Sequence, residues 1–162
     1  MFKIRPIQAK DNAAIAQIIR DVSQEFGLAP ESGFAVADPI LDNLYEVYDQ
    51  TNAQYWVIED ETGQIHGGGG LSPLTGDASI LEIQKMYFLP TLRGFGFAKQ
   101  ILEKSFEFAQ QQGFKSCYLE TTKELWQAVK LYEKLGFEHL KQPKGNTGHS
   151  HACEIWMLKT IV

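Results

Sequence analysis

The sequence predicts an α/β fold: one mixed sheet with helices packed against it. Three observations carry this. Short β-rich runs and amphipathic runs follow one another in the order β-α-α-β-β-β-α-β-α-β-β. No linker, internal repeat or low-complexity segment divides the chain. Its 162 residues suit one domain, 1–162, able to bury a core without disulfide or metal staples.

Residues 2–7 ("FKIRPI") alternate as a strand does. The next run places Ile15, Ile18, Ile19, Val22 and Phe26 at helical spacing, with Asp11 as the expected N-cap and Gly27 as the stop. "LAPESGFAVADP" reads as loop, and "ILDNLYEVYDQ" has room for a second, short helix. "AQYWVIED" and "QIHGGGGLSPL", joined at Glu61-Thr62-Gly63, form a hairpin signal. "SILEIQKMYFLP" is the longest strand. A helix bearing Phe97, Ile101, Leu102, Phe106, Phe108 and Ala109 on one broad face follows it and ends at Gly113. The strand "KSCYLET", the helix "KELWQAVKLYEKLG" and two closing strands, "FEHL" and "ACEIWMLK", complete the order.

Lys and Arg number 15 against 20 Asp and Glu, a net charge of −5. That balance argues against a nucleic-acid partner, which calls for a basic face, and favours a cationic or neutral small substrate over an anionic one. With 44% apolar and 22% charged residues, the composition is that of an ordinary globular protein. The amino-terminal stretch has no signal-peptide core, and no apolar run reaches membrane-spanning length, so the expectation is a cytoplasmic protein with no membrane contact. Cys117 and Cys153, both in apolar strand-like runs, read as buried free thiols.

Two glycine-rich stretches invite a nucleotide reading. Gly67 to Gly70 lacks the Lys-Ser/Thr and the helix of a phosphate-binding loop, and reads better as a strand with bulges or close backbone approach. "RGFGFAK", residues 93–99, does open a helix. It lacks the third glycine and the acidic strand end of a dinucleotide site. Its first N–H groups nonetheless converge with the helix dipole on one point, an anion site suited to a pyrophosphate.

"EIQKMYFLPTLRGFGFAKQILE" resembles the acetyl-CoA-binding motif of the GNAT (GCN5-related N-acetyltransferase) superfamily, Arg/Gln-x-x-Gly-x-Gly/Ala after a strand. Arg93, Gly96 and Ala98 meet it, with Pro90 three residues ahead. "CYLETTKELWQAVKLYEKLGFEHL" resembles the family's next strand, helix and strand, through Ala128, Leu131, Tyr132, Gly136 and Phe137. The likeness is strongest over residues 79–140. It implies a mixed, mostly antiparallel sheet of six or seven strands flanked by about four helices. The implied activity is transfer of an acetyl group from acetyl-CoA, as co-substrate, to a primary amine of a small molecule or peptide, without a metal.

The resemblance also implies site residues. The backbone of Met86, Tyr87 and Phe88 would hold the pantetheine arm like an added strand, and Arg93, Gly94, Phe95, Gly96, Phe97, Ala98 and Lys99 the pyrophosphate. Tyr132 would donate a proton to the departing thiolate. Glu82 and Glu120 both match positions used as a base in different members, with Glu82 slightly preferred, and many members use only a water chain. Leu125 stands where many members have a coenzyme-contacting Asn, which puts that contact in doubt. His149, His151 and His66 are candidates to line the acceptor pocket; His149, His151 and Cys153 lack a closed zinc ligand set. A different acyl donor, a hydroxyl acceptor and a non-catalytic acyl-CoA sensor are the rival readings. The acceptor is not readable, and a homodimer is left open. Specificity is expected from residues 25–50, the loop near Pro73–Ala78, and 141–152.

Overall fold

The computed structural model describes residues 1–28 and 38–161. Its elements in chain order are β1 (Phe2–Pro6), α1 (Asn12–Glu25), α2 (Leu44–Tyr48), β2 (Gln54–Asp60), β3 (Ile65–Leu74), β4 (Asp77–Phe88), α3 (Phe97–Gln111), β5 (Ser116–Thr121), α4 (Trp126–Lys134), β6 (Glu138–His139) and β7 (Ile155–Thr160). The seven strands form one sheet in the order β1-β2-β3-β4-β5-β7-β6, antiparallel throughout except for the parallel β4–β5 pair.

The predicted element order holds. α1 and α2 cover one face, where Ile15, Ile19, Leu41 and Leu44 pack with Tyr55, Val57 and Tyr87. α3 and α4 cover the other, where Ile101, Leu102 and Val129 meet Leu71, Ile83 and Met157. Asp11 precedes α1 as expected, but its side chain caps nothing in that helix. It accepts instead from Arg5 on β1, at 2.8 and 3.0 Å, and from the Gln8 N–H at 2.8 Å. A bidentate guanidinium outcompetes a helix amide for a buried carboxylate. The stretch 73–78 is no free loop: β3 runs to Leu74, β4 starts at Asp77, and the turn between them docks on Asn146, whose N–H donates to the Thr75 carbonyl at 2.6 Å. The segment expected as loop at 29–37 lies outside the described residues.

Both cysteines are buried free thiols, and burial pushes each up to about 12. No helix among the described residues is long and apolar enough to cross a membrane.

Candidate active site

The site begins with the glycine run. Gly67 to Gly70 lie in β3 between β2 and β4. A Cβ on Gly68 would fall 2.6 Å from the Trp56 carbonyl oxygen and 2.7 Å from Tyr55 Cε1, and one on Gly70 would strike the Gln54 carbonyl and the Tyr55 ring. On the other face a Cβ on Gly69 would collide with the Met86 side chain. The glycines therefore make room for Tyr55 on one side and Met86 on the other.

Tyr55, fully buried, donates its hydroxyl to the Lys85 carbonyl at 2.7 Å. That carbonyl belongs to a bulge. Pairing jumps from Gly70↔Gln84 to Gly68↔Tyr87, two residues on β3 against three on β4. Lys85 takes up the extra residue with φ of 51°, left-handed and costly for a side-chain-bearing residue. β4 bends there and parts from β5: their ladder consists of Leu81↔Cys117 and Glu82↔Tyr118 alone.

A cleft of about 610 Å³ opens along the parting, between the end of β4 and the start of α4. Met86, Tyr87 and Phe88 line it, as do Arg93, Gly94, Gly96, Phe97, Ala98 and Lys99, so nine of the ten predicted cofactor-contacting residues come together. Phe95, the tenth, is an exposed side chain at the turn. Gly94 and Gly96 have φ of 85° and 78°, with nothing within 4 Å of a Cβ at either. Conformation, not crowding, requires glycine there. Among the described residues, the N–H groups of residues 94–99 donate to no protein acceptor; the first helical bond is Gln100 N–H to the Gly96 carbonyl. Gly96, Phe97, Ala98 and Lys99, which line the cleft, bring the free N–H groups and positive end of a 15-residue helix to it, a place that favours an anion.

Two predicted residues differ from their expected parts. Arg93 donates its own N–H to the Pro90 carbonyl. Its guanidinium binds Glu25 of α1, at 2.8 Å from Nη2, and the Phe88 carbonyl at 2.9 Å, while lying over the Phe26 ring. Arg93 thus ties α1 to the end of β4, and both its side chain and the Phe88 carbonyl are already engaged. The sequence could have hinted at this only through Glu25, whose partner lies 68 residues away.

At the inner end of the cleft a second chamber of about 90 Å³ contains Glu82, Gln84, Lys85, Glu120 and His149. Met86, Tyr87, Leu125 and Tyr132 line both spaces. Tyr132 is buried, its ring edge-on to Phe137 at 5.7 Å, and its hydroxyl makes no hydrogen bond among the described residues. Burial holds the phenol above its ordinary pKa, so it keeps its proton at neutral pH.

The two glutamates occupy different electrostatic positions. Glu120 loses solvent to burial, which alone would raise its pKa. His149, Ser150, Thr147 and Tyr118 overcome this and hold it down to about 2. The Tyr118, Thr147 and Ser150 hydroxyls each donate at 2.6 Å. His149 Nδ1 sits 3.1 Å from Oε1 in a close contact without aligned hydrogen-bond geometry. Glu82 accepts from Gln84 Nε2 at 2.7 Å and lies 4.0 Å from His149 Nε2. Burial raises its pKa, despite Gln84 and His149. A carboxylate fixed by four groups has no spare basicity; one with a raised pKa does. His149 therefore lies in the chamber. His151 is exposed, and His66 bonds Asp60 and Thr91 at the β2–β3 hairpin, so neither lines it.

Comparison with known proteins agrees with this geometry. The acetyltransferase (GNAT) family model matches residues 17–137. The Escherichia coli (strain K12) protein YjgM, described as an uncharacterized N-acetyltransferase, is 52% identical over 159 residues, 98% of this chain and 94% of its own. Bacillus subtilis YhfO, described likewise, is 26% identical over 94% of this chain and 96% of its own. Among solved structures, a Staphylococcus aureus GNAT-family acetyltransferase superposes with a TM-score of 0.83 over all of both chains at 19% identity. The Thermoplasma acidophilum PaiA N-acetyltransferase in complex with coenzyme A superposes with 0.74 over 99% of each at 15%. A strand parted at a bulge, a glycine cradle at a helix start and a family match over 17–137 converge on one assignment: the chain belongs to the GNAT family of acetyltransferases.

Proposed function

We propose that the chain transfers the acetyl group of acetyl-CoA to a primary amine. The observation that carries this is the meeting of two spaces at Tyr132: a cleft ending in an anion cradle, and a small acidic chamber. The pyrophosphate of the donor lies on the 94–99 amides, and its pantetheine arm lies in the parting beside Met86 and Tyr87. The coenzyme A complex of the Thermoplasma relative supports a donor of this class.

In the transfer step the neutral amine attacks the thioester carbonyl carbon. A C–N bond forms and the C–S bond breaks. The amine's proton passes to Glu82, directly or through water, and the Tyr132 hydroxyl protonates the departing thiolate. Glu120 holds His149 and the 147–150 loop around Glu82.

Thiol release from acetyl-CoA over a panel of amines and peptides tests the proposal. Tyr132→Phe is expected to slow release about 10²-fold or more while coenzyme binding persists. Coenzyme binding with no turnover on any acceptor would favour a sensor; absence of binding would sink the assignment.

A further inference from the structure

The transfer chemistry leaves Lys85 without a part. Its side chain is 9% exposed, sits at the bulge, and lines the chamber with Glu82 and Gln84. Its one ionic partner among the described residues is Asp38, with Nζ 3.8 Å from Oδ2, too far for a hydrogen bond. Asp38 is half-exposed and gives Oδ1 to the Ile40 N–H at 3.0 Å. None of the three ammonium donors of Lys85 reaches an acceptor among the described residues. Burial disfavours its charge and lowers its pKa, against the pull of Asp38 and Glu82. A cation placed so deeply without a hydrogen-bonded partner costs stability, and an anion that pairs with it offsets that cost.

The same small chamber holds the Glu82 and Glu120 carboxylates opposite His149. A dianion such as a phosphate ester would meet those carboxylates, and a diamine would set its second charge against Lys85. A molecule with one amine and one carboxylate satisfies both poles. Resting on the acetyl-transfer reading, we infer that the acceptor is a free amino acid, its amine delivered to Glu82 and its carboxylate received by the Lys85 ammonium.

The test uses matched acceptors: amino acids, their carboxamides, and the corresponding decarboxylated amines. Thiol release from acetyl-CoA is measured for each, with calorimetric titration of the same compounds into the chain saturated with coenzyme A. The free acids are expected to exceed their carboxamides by at least about tenfold in kcat/KM. Lys85→Met should collapse that ratio towards one, and Lys85→Arg should retain it. A ratio near one in the unaltered protein overturns the inference, as does an equal loss on acid and carboxamide in Lys85→Met, or faster turnover of a lysine peptide with a capped carboxyl terminus. Should Lys85→Met fail to fold, the ratio in the unaltered protein decides alone. Turnover of amines regardless of a carboxylate overturns the amino-acid site and leaves acetyl transfer standing. Carboxylate-dependent binding with no thiol release on any acceptor does the reverse, and the absence of both overturns both.

Discussion

Removing one oxygen, by Tyr55→Phe, is the sharpest probe of how the site is built. The ring stays, so the packing against Gly68 and Gly70 is kept and no large cavity opens. What goes is the 2.7 Å bond from the fully buried Tyr55 hydroxyl to the Lys85 carbonyl. The lost bond and the stranded acceptor together cost about 2 kcal/mol. For a chain of this size that is a fall in urea midpoint of about 1 M, or about 4–8 °C in Tm. Tyr48→Phe is the control: its hydroxyl donates to Gln84 Oε1 at 2.6 Å, but that oxygen keeps the Ser72 hydroxyl at 3.1 Å, so the cost is smaller. Denaturation of both variants measures the difference, and amide hydrogen exchange reports the bulge directly. Exchange at residues 85–87 should quicken in Tyr55→Phe alone. If the variant stays within about 0.5 kcal/mol of the parent, or matches Tyr48→Phe, the hydroxyl does not prop the bulge and the reasoning fails.

Other consequences are open to similar tests. Gly94→Ala or Gly96→Ala should cost about 1 kcal/mol in stability from the left-handed backbone and weaken coenzyme A binding by more than that, as read by calorimetry; unchanged binding would remove the cradle from the argument. Glu120, held at about 2 against an ordinary 4.5, contributes stability that is full above pH 4.5 and is lost as pH falls towards 2. Discounted for screening, that is about 2 kcal/mol, and Glu120→Gln should flatten the acid side of the stability–pH curve. Glu82, shifted upward by burial, should give a rate that climbs with pH above the usual carboxylate range, and Glu82→Gln should abolish that limb. Trp126 is 55% exposed at the cleft wall, whereas Trp56 is buried and Trp156 lies on β7. Coenzyme A should therefore change the intrinsic fluorescence, and Trp126→Phe should erase the change.

The sequence made some of this visible and hid the rest for physical reasons. Helices and strands are local, and their periodicity was enough to place all eleven in order. Asp11 misled because a cap is also local in spacing, while its actual partner, Arg5, is chosen by the sheet. The Gly67–Gly70 run marked a bulge but not Lys85 as its extra residue, since a bulge is a mismatch between two strands and only one is read at a time. Glu82, Glu120 and His149 were each legible as candidates. Their convergence depends on the parallel β4–β5 pairing and on the 147–150 loop folding back. The proposed preference for Glu82 rests on the hydroxyls around Glu120, two of which come from that loop. Arg93 carried the right motif and yet had its side chain engaged by α1.

The two-pair ladder between β4 and β5 also divides the molecule mechanically. On one side stand four strands paired antiparallel, with a bulge at Lys85, and on the other a three-stranded leaf. Across the seam the backbone is stitched at Leu81 and Glu82 only, and side chains supply the remaining cohesion. Pulled apart from Phe2 and Thr160, the chain should yield first along this line. Any ligand lying in the parting would act as a splint, raising the force of that first event while leaving the unzipping of β1 from β2 unaltered.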